Sequence, residues 1–201
     1  MSLKLYSIIY RAQNKNEANL IRQIENSTRE LEYLRTGKKT YGDSINPKDG
    51  YLYIGKFKDY LIINEASMAL DFFQEPVSKT ERFWRTLSRN SQEIYCFILN
   101  GITNMYGFAY LLNQRKIRCK YGTIDESVIL DLGALLKSEK DYYERKNTNA
   151  LIEDGEIEFH QIAEDLIFHF FNEILGESPN YNSDLMNLEM TEYKKVNFDT
   201  I

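Results

Sequence analysis

The chain has 201 residues, 43% hydrophobic and 27% charged, with a net charge of −5. That length buries one sizeable core without disulfides or metals, so one domain over residues 1–201 is expected. Three prolines and ten glycines exclude Pro-rich and collagen-like chains, and no run of about 18 apolar residues is present to span a membrane.

Residues 3–10 are rich in Leu, Ile and Tyr and read as a first strand. Leu20, Ile21, Ile24, Leu31 and Leu34 recur at helical spacing, with Asn14 or Asn16 as cap and Gly37 as stop. Residues 36–50 carry Gly37, Gly42, Pro47 and Gly50 and read as a loop. Two short strands follow, Tyr51–Gly55 and Asp59–Asn64, then a short helix over 65–73 and a second over 79–89 capped by Ser78.

Glu93–Asn100 and Met105–Leu112 are apolar on both faces, the pattern of central strands. After a turn at 113–116, Ile117, Cys119 and Tyr121 share one strand face, and Lys116, Arg118 and Lys120 are expected on the other, wet face. A strand at 128–132 and a polar helix at 135–146 come next. The strongest helix is 156–175, where Phe159, Ile162, Ala163, Leu166, Ile167, Phe170, Phe171, Ile174 and Leu175 make one apolar stripe, ended by Gly176 and Pro179. It is the expected main anchor on the sheet. The tail, 177–201, is read as an edge strand over 186–196, with Met186, Leu188 and Met190 on one face. Strands and helices without regular βαβ alternation give α+β on a mostly antiparallel sheet, a mixed sheet being the alternative.

Charge is unevenly placed. Residues 1–120 carry 19 Lys/Arg against 12 Asp/Glu, and residues 121–201 carry 6 against 18. The two parts are expected to lie against each other and partly compensate. Cys96 and Cys119 sit in apolar runs and read as reduced, buried thiols. His160 and His169 are nine residues apart on one helix, about 180° around its axis, so they cannot share a metal from it. Dinucleotide, P-loop and nucleophile-elbow motifs are absent; Gly37 to Gly42 has P-loop glycine spacing but runs into Asp43. No metal or cofactor is expected.

Two basic rows are the stronger signal. Arg82, Arg85 and Arg89 fall on one side of the 79–89 helix, opposite Phe83, Trp84 and Leu87. Lys116, Arg118 and Lys120 form the second row. Either can meet phosphate or an acidic partner, or pair with the acidic part of this chain. Neither row is interleaved with aromatics, and the net charge is acidic, so nucleic acid is not the expected partner. Tyrosine is abundant, 15 against one Trp; it suits a half-wet sheet face, a cleft or a protein interface.

Tyr53-Ile54-Gly55, Met105-Tyr106-Gly107-Phe108-Ala109-Tyr110, Lys116-Ile117-Arg118, Tyr121-Gly122, and Asp131-x-Gly133 with Glu139 downstream together resemble an uncharacterised family of bacterial domains of unknown function. The resemblance covers residues 51–175. It implies a cytosolic α+β protein and carries no activity, cofactor or catalytic residue. Relatives of that type carry a His-Ser pair before the hairpin strand, where this chain has Asn100-Gly101.

With a start too short in apolar residues for a signal peptide, the expectation is a cytoplasmic, non-enzymatic domain that binds another protein in a regulatory or immunity-like role. The alternative is an enzyme or small-molecule binder with a cleft beside the 105–121 hairpin. The candidate binding residues are Tyr106, Tyr110, Arg118, Arg82, Arg85 and Arg89. Arg118 is expected to act as an internal clamp on a downstream acid, with Asp125, Glu126 and Asp131 nearest in sequence.

Overall fold

A computed structural model describes residues 4–11, 16–28, 31–126, 128–146, 158–180 and 182–197. One antiparallel sheet of nine strands organises them, flanked by helices on both faces. In chain order the elements are β1 (Lys4–Arg11), α1 (Glu17–Thr28), β2 (Leu31–Thr40), α2 (Tyr41–Ser44), β3 (Tyr51–Phe57) and β4 (Tyr60–Asn64). Then come α3 (Ala66–Leu70), α4 (Lys79–Leu87), β5 (Ile94–Asn100), β6 (Met105–Leu112), β7 (Arg115–Thr123) and β8 (Leu130–Leu132). The last are α5 (Lys137–Lys146), α6 (Phe159–Leu175) and β9 (Glu189–Asn197). The strand order is β2-β9-β3-β4-β1-β5-β6-β7-β8, so the α+β class holds and every neighbour is antiparallel.

Period-two alternation splits the central strands between two cores. From β1 and β5, Tyr6, Ile8, Tyr10, Ile94, Cys96 and Ile98 face α1, α3 and α4, where Leu20, Ile24, Met68, Phe72 and Trp84 meet them. Leu5, Ile9, Phe97 and Leu99 face the other way, onto α5 and α6. Both faces are covered, which is why these strands read as continuous apolar runs. In α6, Phe159, Ile162, Ala163, Leu166, Ile167, Phe170, Phe171 and Leu175 are buried; each large one contributes about 1.5–3 kcal/mol. A capping box between Glu158 and Gln161 starts α6, and Gly176 at φ 75° stops it. The helix therefore begins at Phe159; residues 156 and 157 lie outside the described residues.

Two expectations fail for one reason. The helical spacing of Leu20 to Leu34 holds only to Thr28; residues 31–40 are a strand. β9 is then not an edge: it lies between β2 and β3. Leu31 pairs with Asn197, 166 positions further along the chain, and such a long-range partner overrides local spacing. β2 takes the edge and is suited to it, because Glu32, Arg35, Lys38 and Lys39 are exposed along it and its pairing is broken by a bulge at Arg35/Gly37.

Candidate functional site

The β6–β7 hairpin gathers most of the residues singled out by sequence. Asn113 and Gln114 form its two-residue turn, both at positive φ, which is the twist a tight hairpin needs. Along β7 the pairing then slips: Tyr110 lies opposite Arg118 and Leu111 opposite Lys116, leaving Ile117 as an extra, bulged residue. A bulge reverses the side-chain alternation. Lys116 therefore turns to the α4 face and Arg118 to the α5 face, so the expected single wet row does not exist. Lys116 Nζ lies 2.8 Å from Glu81 Oε2 and donates to the Phe72 carbonyl at 2.6 Å. Glu81 is fully buried and also holds Arg85, at 2.7 Å.

Arg118 is the centre of the other face. It is 1% exposed, and its Nε and Nη2 donate to the two carboxylate oxygens of Glu139 at 2.8 and 2.9 Å. Glu139 is fully buried and also accepts from the Leu136 N–H at 2.9 Å. Nη1 donates to Asp131 Oδ1 and, at 3.0 Å, to the Leu132 carbonyl. The guanidinium lies over the Phe108 ring, 5.6 Å from its centroid. Burial alone lowers the Arg118 pKa, but its hydrogen bonds to Glu139 and Asp131 outweigh that and the pKa is raised. Beside it Lys120 is 7% exposed, its Nζ 3.6 Å from Asp131 Oδ2 and 4.6 Å from the Phe159 ring centroid. Burial pushes its pKa down.

The clamp expected of Arg118 is thus internal, with Glu139 as its main partner rather than Asp125 or Glu126. It is not a binding surface. Gly133 makes the arrangement possible: at φ 84° it presses against the Ile117 carbonyl, and any Cβ there would land on that oxygen. The basic first part and the acidic last part of the chain meet here, as they do at Lys38–Glu189, 2.6 Å apart.

The remaining candidates scatter. Tyr106 and Tyr110 share the Arg118 face, but Phe108 between them is covered by Phe170, ring centroids 4.8 Å apart. Tyr110 stacks on Tyr95 at 4.7 Å, and both hydroxyls donate to Glu93 Oε1 at 3.3 Å. Glu93 Oε2 accepts from Arg11 at 2.9 Å. Burial raises the Tyr110 pKa to about 12. Tyr106 reaches Asn104 at 3.4 Å. Arg82 and Arg89 are exposed on α4 and just past its end, while Arg85 is spent on Glu81. His160 and His169 pair separately, with Glu158 at 3.1 Å and with the Ser138 carbonyl at 3.1 Å. No group of three or more His, Cys, Asp or Glu among the described residues is placed to hold a metal ion.

What sequence reading missed is apolar. Among the described residues eight large hydrophobic side chains are exposed, and six lie in one stretch: Ile117, Ile124, Val128, Ile129, Leu132 and Leu135. They flank β8, the outermost strand on this side of the sheet. The one available signal was the apolar run at 128–132, read simply as a strand.

Residues 10–176 match a family of unknown function, DUF6928. The chain belongs to that family. The match runs from the end of β1 to the end of α6 and includes both the Arg118 clamp and the β8 edge, while β9 lies beyond it. No curated protein and no solved structure matches the chain. Within the family segment, Lys116-Ile117-Arg118, Asp131-x-Gly133 and Glu139 are the bulge, the clamp and its close-approach glycine.

Proposed function

We propose that this domain is a non-enzymatic, cytoplasmic protein-binding module, regulatory or immunity-like, and that it docks its partner along the β7–β8 edge. The observation that carries the reading is the concentration there of six of the eight exposed large apolar side chains. Monomeric domains rarely cluster such residues without a partner to cover them. The two sheet edges differ accordingly. β2 is lined with charge, whereas β8, the outermost strand on its side among the described residues, offers Ile129 and Leu132. Within residues 117–135 the exposed charges, Asp125, Glu126 and Asp131, are all acidic. The occupant that fits is an extended segment of another protein, alternating apolar and basic residues, added to β8 as a further strand. Two buried, unpaired thiols, Cys96 and Cys119, support a reducing compartment.

The test is co-purification from the native host with mass spectrometry and cross-link mapping, the wild type beside an Ile129→Ser/Leu132→Ser double variant. The expected result is a protein that is lost in the variant, weakened by salt, and cross-linked through an extended basic-apolar segment. The same proteins recovered with both chains would overturn the reading. So would a wild-type homodimer that buries β8 against a second copy.

A further inference from the structure

A second feature lies on the opposite face, at the tip of the same hairpin. A groove of about 440 Å³ runs between α1 and α4, lined by Gln23, Asn26, Phe83, Leu87, Arg89 and Gln92 among others. That is the size of a small-molecule site. Its floor is apolar, with Phe83 edge-on to Trp84 at 5.1 Å. Its walls are carboxamides and one guanidinium. The side chains of Gln23, Asn26 and Arg89 make no hydrogen bond or ion pair with any described residue, and Gln23 Oε1 is buried as well. A buried acceptor left unpaired is costly, so a ligand N–H aimed at this wall would be held by Gln23 Oε1.

Asn90, which lines the groove, and its neighbour Ser91 sit at positive φ beside the hairpin turn Asn113-Gln114. Three hydrogen bonds fasten them: Asn113 N–H to the Ser88 carbonyl at 2.9 Å, Gln114 N–H to Ser88 Oγ at 2.9 Å, and Ser91 N–H to Asn113 Oδ1 at 2.9 Å. Tyr10 donates to Gln92 Oε1 at 2.6 Å, which fixes the orientation of that amide at the groove wall.

We infer that the groove between α1 and α4 binds a nucleotide. A base offers the flat π face that suits Phe83 and Leu87, and a donor–acceptor edge of the kind Asn and Gln side chains read in pairs. A phosphate offers the anion that Arg89, unpaired by any carboxylate among the described residues, takes through its fork. This site is independent of the β8 edge, so either reading stands if the other fails.

Calorimetric titration with adenosine, guanosine, cytidine and uridine 5′-monophosphates tests it, alongside the four nucleosides and inorganic phosphate. Side-chain amide resonances of Gln23, Asn26, Asn90 and Gln92 are followed by NMR. One nucleotide is expected to bind and to shift those amides, with affinity falling about tenfold or more in Arg89→Ala. Arg89 is exposed and unpaired, so Arg89→Ala should melt like the wild type; Asn26→Ala serves as a second variant from the opposite wall. No heat and no shifts at millimolar nucleotide would overturn the inference. So would inorganic phosphate binding as tightly as the nucleotide, or nucleotide binding that survives both variants.

Discussion

Removing the Arg118 guanidinium should be among the most damaging single changes available in this protein. Glu139 is fully buried, and Arg118→Ala takes away the bonds at 2.8 and 2.9 Å, leaving that carboxylate only the Leu136 N–H at 2.9 Å. Breaking a buried pair from one side costs about 3–5 kcal/mol, because the other partner stays buried and uncompensated. For a chain of this size, about 2–4 °C of melting temperature per kcal/mol turns that into a fall of roughly 6–20 °C. Lys120→Ala is the internal control. Its partner Asp131 is 45% exposed and 3.6 Å away, a contact worth about 1 kcal/mol or less. Urea midpoints for the two variants, measured beside the wild type, separate the cases. A double variant, Arg118→Leu/Glu139→Leu, should recover much of the loss, since it removes both buried ions together. If Arg118→Ala and Lys120→Ala shift the midpoint by equal and negligible amounts, the clamp reasoning is refuted.

Gly133→Ala should cost more than about 2 kcal/mol, since it forces a side chain at φ 84° onto the Ile117 carbonyl; a denaturation midpoint within error of the wild type would contradict the close approach. Gln114→Gly should stabilise by about 0.5–1 kcal/mol, because Gln114 sits at φ 66° in the hairpin turn while its N–H bond to Ser88 is retained. Any destabilisation measured by the same assay would count against a simple turn. Burial raises the Tyr10, Tyr53 and Tyr142 hydroxyls to about 12, above the ordinary tyrosine value of about 10. Their contribution is whole below pH 10, where neither state ionises them, and is lost as pH rises toward about 12, by about 1.4 kcal/mol per unit for each tyrosine. Unfolding free energy that stays flat from pH 8 to 11 would exclude this. Cys96 and Cys119 are buried, and burial raises the Cys119 thiol to about 12 and Cys96 well above its ordinary value. Native-state labelling with a disulfide reagent should therefore be slow and become complete on unfolding; fast labelling of Cys96 would place β5 elsewhere.

The parts of the fold legible in sequence were those with short-range causes. α6 announced itself through one wide stripe, and β5 and β6 through apolar residues on both faces. β2 was not legible, because Leu31 and Leu34 continue the helical spacing of α1 and nothing local marks pairing with β9, at the far end of the chain. At the site, the internal clamp of Arg118 and one of its acids, Asp131, are legible in sequence, while the main partner, Glu139, is not. Glu139 is brought to it by β8 and the turn at Gly133, a route set by backbone geometry. The wet face on β7 failed for the same kind of reason. Strict alternation puts Lys116, Arg118 and Lys120 together, and a single bulged residue, Ile117, separates them.

That bulge also dictates how binding at the β8 edge must be tested. By sending Lys116 to Glu81 and Arg118 to Glu139, it ties β7 to α4 on one face and α5 on the other. Asp131 of β8, held by Arg118, sits between Leu130 and Leu132. Any change to Arg118 therefore moves the edge strand itself, and lost binding in Arg118→Ala would report a lost strand as readily as a lost contact. Ile129 and Leu132 differ: both side chains are exposed, and Ile129 holds β7 through its backbone N–H to the Tyr121 carbonyl at 2.9 Å. Serine at these two positions keeps the backbone pairing and removes only the apolar surface. Binding that falls in this variant while its denaturation midpoint stays put assigns the partner to the edge; a fall in both together assigns it to the fold.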